Sequence, residues 1–173
     1  MRSSVARLTA SLALALACDV GDGSSTDGDG TDSDDPSVEP AVPDEPEALH
    51  EWALSGAYLE WSAWSEVQPT GGIGGARVFL SPTLVASIEA GDRQHPIGAT
   101  AVRELYGADL ETQTGFAVIT RVSDETSADA WLWLEVFSAD PEAIPATAER
   151  GAPGCVGCHQ QAIDFIQSTL PLP

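Results

Sequence analysis

The sequence predicts an α+β fold, an antiparallel β-sheet with a helix at the N-terminal end of the domain and a short helix at its C-terminal end. Three segments, 99–106, 115–122 and 130–138, have the apolar alternation or the continuous apolar runs of strands. The loops between them are too short to hold a crossover helix, which favours an antiparallel meander. An apolar stripe at helical spacing precedes them, so helix and sheet occupy separate stretches of the chain.

The helical stripe lies between about residues 46 and 64 and predicts the first helix. Its apolar positions are Leu49, Trp52, Ala53, Ala57 and Trp61. We expect the two tryptophans to anchor the core. Residues 71–75 form a glycine-rich turn that lacks the Lys of a phosphate-binding loop.

A short strand at 77–80 leads into a compact helix whose two ends are marked in the sequence. Ser81 is a preferred N-cap residue, Pro82 suits the first helical turn, and Gly91 is typical of the position just beyond a helix. The pattern predicts a helix between these residues.

Two of the three long strands are apolar on both faces. In 115–122, one face carries Phe116, Val118 and Val122, and the other carries Ala117 and Ile119. In 130–138, one face carries Trp131, Trp133 and Phe137, and the other carries Leu132, Leu134 and Val136. The strand at 130–138 is therefore expected to be buried on both faces. A last helix is predicted at about 160–168.

The composition of the chain excludes some partners and some reactive groups. The chain has 173 residues, 27 acidic and 7 basic side chains, and a formal net charge of −20. This length allows one domain of ordinary size. An acidic surface repels phosphate, which excludes nucleic acid as a partner. All the basic residues are Arg, and the single Met is Met1, so neither Lys nor an internal Met is available for chemistry.

Residues 1–18 have the features of a lipoprotein signal peptide. Arg2 and Arg7 supply the positive region, and the apolar stretch 8–17 is too short to span a bilayer. It ends in Ala-Leu-Ala before Cys18, which resembles a lipobox. The alternative is an ordinary secretory signal in which Cys18 has no role. We expect Cys18 to be lipidated, which would make this a bacterial cell-envelope protein facing the periplasm or the outer membrane.

Residues 19–47 have the composition of a disordered tether. They hold eleven Asp or Glu and no Lys or Arg, and such a segment buries too little apolar surface to order itself. The Asp-rich stretch 27–34 lacks the Glu that an EF-hand calcium loop needs at its twelfth position, where Val38 stands. A solvated spacer is therefore expected before a domain at 48–173.

Cys155, Cys158 and His159 form the C-x-x-C-H pattern by which c-type haem is attached. The thiols add across the two vinyl groups of haem, and the adjacent imidazole becomes the proximal iron ligand. Two alternatives remain: a disulfide between the cysteines, or a zinc site completed by His50 or His95. The pattern favours one covalently attached haem c.

Few residues can serve as a sixth iron ligand. Electron-transfer cytochromes commonly use Met or His, and the mature chain has neither Met nor Lys. His50 and His95 remain, and both are expected at the surface. Because the motif lies late in the chain, the upstream strands must build the haem pocket. The preferred hypothesis is an open or water-occupied iron.

Residues 48–173 resemble the cytochrome P-460 and cytochrome c′-beta family. The features, in order, are the first helix with its tryptophans, the segment 78–82, the G-x-x-x-V-R-E-L-Y pattern at 98–106, the Gly115-Phe116 pair, the 131–137 strand and the haem motif. The resemblance implies a β-rich, usually dimeric, mono-haem protein with His159 as proximal ligand and an accessible distal side. Some members oxidise hydroxylamine, and the c′-beta members bind nitric oxide or carbon monoxide.

Arg103 stands where the hydroxylamine-oxidising members have a Lys that is cross-linked to haem. A guanidinium stays protonated and is a poor nucleophile, so no cross-link is expected. As a candidate catalytic residue, Arg103 would hydrogen-bond an oxygen-containing ligand or pair with a haem propionate. The alternative is a salt bridge with Glu104 or Glu135.

These features predict an envelope-anchored mono-haem cytochrome whose open iron binds a small gaseous or nitrogen-oxide ligand. One alternative is a hydroxylamine-oxidising or peroxidase-like enzyme in which Arg103 replaces the cross-linking Lys. Another is an electron-transfer cytochrome with a His sixth ligand, steered to an envelope redox partner by its acidic surface. The last is a haem-free lipoprotein with a structural disulfide. The resemblance also predicts a homodimer.

Overall fold

The computed structural model describes residues 41–71 and 74–173. The expected signal peptide at 1–18 with Cys18, residues 19–40 of the expected tether, and residues 72–73 of the glycine-rich turn lie outside the described residues. Val42 packs against the core, so the described fold includes residues upstream of 48. No helix in the described part of the chain has the length and apolar character needed to cross a bilayer.

Across the described residues, seven strands form one antiparallel sheet with helices on both of its faces. In chain order the elements are α1 (Pro46–Leu54), β1 (Ser62–Ala63), β2 (Gln68–Pro69), β3 (Gly75–Leu80), α2 (Pro82–Ala90), β4 (Thr100–Tyr106), β5 (Gln113–Arg121), a 3-10 turn (Ala128–Ala130), β6 (Trp131–Val136), β7 (Thr147–Arg150) and α3 (Pro153–His159). The strand order is β1-β3-β4-β5-β6-β7, and β2 also pairs with β3. All pairings are antiparallel, so the predicted α+β class is confirmed.

The face of the sheet that α1 covers, here the α1 face, holds one of the two core clusters. Its buried side chains include Leu49, Trp52, Tyr58, Trp61, Phe79, Val102, Phe116, Val118, Leu132, Leu134 and Val136. The ring centroids of Trp52 and Trp61 lie 5.4 Å apart. The prediction that both tryptophans anchor the core is confirmed.

The opposite face, here the α2 face, packs against α2, α3 and the C-terminal segment. Its buried side chains include Val78, Leu80, Leu84, Ile119, Trp131, Trp133 and Ile166. Because β6 lies between the two clusters, its apolar residues are buried on both faces, as predicted. Phe137 is the exception. It follows β6 and is 66 % exposed, so its predicted burial is wrong.

The ends of α2 lie where the sequence placed them. The Ser81 hydroxyl accepts a hydrogen bond from the Leu84 N–H, Pro82 begins the helix, and Gly91 beyond its end has a left-handed φ of 75°. Glycine adopts this conformation without the clash that a Cβ causes. These caps depend on neighbouring residues only, which is why local sequence predicts them.

The first helix is shorter than the predicted 46–64. It ends at Leu54, and Gly56 takes a left-handed φ of 72° that turns the chain out of the helical path. Trp61 remains buried in the α1 face although it is no longer helical. The apolar spacing therefore predicted the burial of Trp61 correctly and the length of the first helix wrongly.

The predicted helix at 160–168 is absent from the described structure. Helix α3 covers the haem motif itself and ends at His159. Asp164 and Phe165 have left-handed φ values of 45° and 66°, which no right-handed helix allows. The sequence analysis also missed β7, whose pairing with β6 brings residues 147–150 beside α3.

Candidate functional site

Helix α3 presents the two thiols and the imidazole of the motif together. Pro153 starts the helix, and its missing N–H costs nothing in a first turn. Cys155, Cys158 and His159 are three and four residues apart, a spacing that groups side chains along one side of a helix. Both cysteines are free thiols, the first half-buried and the second exposed. The structure thus shows no disulfide between them.

Cys155 lies against the edge of the sheet formed by β6 and β7. Burial raises the pKa of its thiol, the negative charge of Glu135 raises it further, and a hydrogen bond with Thr147 lowers it in part. The thiol is therefore protonated at neutral pH. These neighbours place Cys155 beside Glu135 on the α2 face.

His159 has one ring nitrogen occupied and one available. Its Nδ1 lies 2.7 Å from the carbonyl oxygen of Phe165. A carbonyl only accepts, so Nδ1 carries the proton and Nε2 keeps its lone pair when the ring is neutral. The ring packs edge to face on Trp133, with centroids 4.9 Å apart. This orientation fits an imidazole that donates Nε2 to haem iron.

Asp164 holds the turn that carries the Phe165 carbonyl. Its Oδ2 accepts from Arg121 Nη1 at 2.6 Å and from the His95 backbone N–H at 2.7 Å. Its Oδ1 accepts from the indole N–H of Trp131 at 3.4 Å. Sequence reasoning missed Asp164 and Arg121, because nothing local marks a contact between residues 43 positions apart.

Arg103 lies on the α2 face, on the same side of the sheet as the motif. It pairs with Val78 on β3 and Ala117 on β5, and Ala117 pairs with Glu135 on β6. Successive side chains alternate along a strand, so Arg103, Ala117 and Glu135 form one row across this face. The row begins at Arg103 and ends at Glu135, which lies beside Cys155.

The predicted salt bridge of Arg103 does not form within residues 41–71 and 74–173. Arg103 is exposed and has no carboxylate within 4.0 Å there, so neither Glu104 nor Glu135 pairs with it. Glu104 points into the α1 face, where it accepts from the hydroxyls of Tyr58 at 2.9 Å and Tyr106 at 2.7 Å. The guanidinium is therefore free to meet a ligand.

The residues beside Arg103 on this face have small side chains. Ala101, Ala117 and Gly115 lie on this side of β4 and β5, and a Cβ on Gly115 would collide with the carbonyl oxygen of Val136. Phe137 is exposed next to Gly115. We call the patch formed by Arg103, Ala117, Glu135 and Phe137 the open face, in which Arg103 and Phe137 are exposed and Ala117 and Glu135 are half-buried.

The two other histidines lie on opposite faces of the sheet. His50 packs on the α1 face, 5.8 Å from Phe116 between ring centroids, with the sheet between it and α3. His95 is 3 % exposed, so its predicted surface position is wrong. Burial lowers the pKa of His95 and keeps it neutral, and its Nδ1 lies 2.9 Å from Ser87 Oγ.

The zinc alternative lacks a complete ligand set. Among the described residues, no group of three or more His, Cys, Asp or Glu side chains is placed to hold a metal ion. A structural zinc site needs four ligands, and neither His50 nor His95 reaches the cysteines. The donor set suits haem better, because haem needs from the chain only two thiols and one imidazole nitrogen.

Two cavities in the described structure lie elsewhere. One of about 430 Å³ is lined by α2, His95 and residues 161–170. One of about 190 Å³ lies on the α1 face beside Tyr58 and Glu104. Neither includes Cys155, Cys158 or His159 in its lining.

Comparisons with known proteins give no relative. No protein-family model and no curated protein matches this chain.

Proposed function

We propose that this protein is a mono-haem c-type cytochrome of the cytochrome P-460 and c′-beta kind, with an open distal side that binds a small diatomic or nitrogen-oxide ligand. We further propose that Cys18 anchors it in the bacterial cell envelope through lipid. Haem bound here would supply an iron that binds the ligand. The observation that carries the proposal is the hydrogen bond of His159 Nδ1 to a carbonyl beside two free thiols.

Each residue of this site would have a separate role. Cys155 and Cys158 would hold the ring covalently, and His159 would bind from the proximal side through Nε2. Trp133 limits rotation of the imidazole by packing against it. Arg103 is the cationic donor on the open face, where it would donate hydrogen bonds to an oxygen atom of the ligand or to a propionate.

An open iron is favoured over a His-ligated one. His50 lies across the sheet from His159, and His95 is buried against Ser87 and Trp131, outside the open face. The mature chain has no Met or Lys to take the sixth position. Ligand binding therefore fits these residues better than electron transfer through a six-coordinate iron.

The first experiment is an optical spectrum of the chain from Asp19 onward, made without the anchor Cys18 and exported through a cleavable secretory signal in a host that attaches c-type haem. We expect a covalent haem with a high-spin Soret band that shifts with carbon monoxide after reduction. A double variant, Cys155→Ser and Cys158→Ser, is the control and should carry no covalent haem. A low-spin spectrum blind to carbon monoxide would favour electron transfer. Absence of covalent haem, in a host that matures its control cytochrome, would refute the proposal.

A further inference from the structure

We infer that Asp164 is a positioning residue for the proximal ligand, acting through its buried ion pair with Arg121. The pair holds the Asp164–Phe165 turn so that the Phe165 carbonyl accepts from His159 Nδ1. This inference rests on the proposed function, since His159 is there the ligand of haem iron.

The ion pair is buried on both sides. The side chains of Arg121 and Asp164 are 1 % and 6 % exposed, and Nη1 lies 2.6 Å from Oδ2. Arg121 Nη2 donates to the carbonyl of Glu125. Removal of one partner would leave a buried charge without compensation. Such a pair ties the C-terminal segment to β5 at one defined place.

Two more donors orient the carboxylate. The backbone N–H of His95 donates to Oδ2 and the indole of Trp131 to Oδ1. Donors on β5, on the loop before β4 and at the start of β6 therefore converge on Asp164. A carboxylate held on both oxygens cannot rotate without losing a bond, so the backbone on either side of it is held as well.

The backbone of this turn needs such support. Asp164 and Phe165 are consecutive non-glycine residues with left-handed φ, a conformation that L-residues adopt at a cost. It persists where surrounding contacts over-determine it. The Ile166 N–H closes the turn on the Ile163 carbonyl at 3.0 Å. The result is a carbonyl at residue 165 that points back to α3.

The consequence for the site is electronic as well as geometric. A hydrogen bond from Nδ1 sets the ring orientation and makes Nε2 a stronger donor. A stronger donor favours ferric over ferrous iron. Loss of the bond should therefore raise the reduction potential of the haem and weaken the iron–imidazole bond.

The test replaces Asp164 with Asn in the haem-loaded full chain. We expect haem attachment to persist, the midpoint potential to shift upward, and the iron–histidine stretch in resonance Raman spectra to fall in frequency. Tyr58→Phe is the matched control, because it removes a buried hydrogen bond on the α1 face and has no contact with α3. Both readouts should stay at the wild-type values in that control.

A folded Asp164→Asn protein with unchanged potential and stretch would overturn the inference. If that variant does not fold, Arg121→Lys is measured instead. Lys keeps the positive charge but lacks the planar guanidinium that bonds Asp164 and the Glu125 carbonyl at the same time. It should shift both readouts in the same direction, and unchanged readouts would overturn the inference.

A haem-free measurement separates this inference from the proposed function. In the Cys155→Ser, Cys158→Ser chain, ¹⁵N NMR of neutral His159 should show the Nδ1–H tautomer, and adding Asp164→Asn should produce a mixture of tautomers. If the wild-type chain never attaches haem, the proposed function fails while this measurement still tests the contact. A tautomer unaffected by Asp164→Asn would refute the positioning role.

Discussion

Arg103 is an exposed cation on a surface of small side chains, and that setting decides which chemistry it can do. Its cross-strand neighbours are Val78 and Ala117, which offer no charge to neutralise it. A guanidinium presents donors only and keeps its proton. At the scale of the residue, Arg103 therefore suits recognition of an oxygen-bearing ligand rather than nucleophilic attack.

Replacing Arg103 with Ala should weaken ligand binding to the haem-loaded protein about tenfold, since one charge-assisted hydrogen bond is lost and about 1.4 kcal/mol corresponds to tenfold. The thermal midpoint should barely change, because the side chain is exposed. Nitric oxide titration and thermal melting measure the two effects. Arg93→Ala, at another exposed Arg, is the control. Equal affinities in both variants would assign Arg103 no part in binding.

We expect the protein to lose stability at alkaline pH because of Tyr58 and Tyr106, whose hydroxyls donate to Glu104. Burial, together with the hydrogen bond and charge of Glu104, raises the pKa of Tyr106 to about 12 and also raises that of Tyr58. The unfolded chain ionises near pH 10. The stabilisation is thus complete below about pH 10 and is lost as the pH rises towards 12.

Urea unfolding at several pH values tests this expectation. The free energy of unfolding of the wild type should fall steeply between about pH 10 and 12, and that of Tyr106→Phe should fall less, because one of the two titrating hydroxyls is gone. The double variant with Tyr58→Phe should be flatter still. Parallel curves for all three proteins would contradict the assigned cause.

At the scale of the element, α2 shows how one side chain can join a helix to the sheet. The Ser81 hydroxyl oxygen accepts from Leu84 N–H at 3.2 Å and from Thr100 N–H at 3.0 Å. The first bond caps α2, and the second ties it to the beginning of β4. Helix α2 is thereby held over the α2 face.

Ser81→Ala should lower the free energy of unfolding by about 2 kcal/mol, since it removes an N-cap and leaves the buried Thr100 N–H without its acceptor. Thr83→Ala, an exposed change in the first turn of the same helix, is the control and should cost less than about 0.5 kcal/mol. Denaturant melts measure both. Equal losses would show that the Ser81 contacts contribute nothing specific.

At the scale of the whole molecule, the core does not need haem to be complete. Both faces of the sheet carry continuous buried clusters built from the chain's own side chains. Cys155 and His159 lie at the rim of the α2-face cluster rather than at its centre. In small cytochromes whose chain wraps the ring, by contrast, haem itself forms the centre of the core.

The haem-free Cys155→Ser, Cys158→Ser protein should therefore fold. We expect a β-rich circular dichroism spectrum, buried-tryptophan fluorescence and one cooperative urea transition. The haem-loaded protein, measured in parallel, is the reference. A haem-free chain with exposed tryptophans and no transition would show that the ring is part of the core after all.

Contacts between neighbours in sequence were predictable. The caps of α2, the alternation of β4 to β6 and the C-x-x-C-H spacing depend on residues within one or two turns of each other. The cross-strand register puts Arg103 on the α2 face, against which Cys155 and Val156 of α3 also pack.

Only the tertiary structure decided the surroundings of His159. The left-handed turn at Asp164 ended the predicted helix, and its partner Arg121 comes from β5. The same carboxylate accepts from the His95 backbone N–H, and the His95 side chain is buried against Trp131. Local sequence sets caps and strand periods because these involve near neighbours. The pairing of Asp164 with Arg121 depends on how the strands bring distant segments together. No pattern of residues along the chain predicts that pairing.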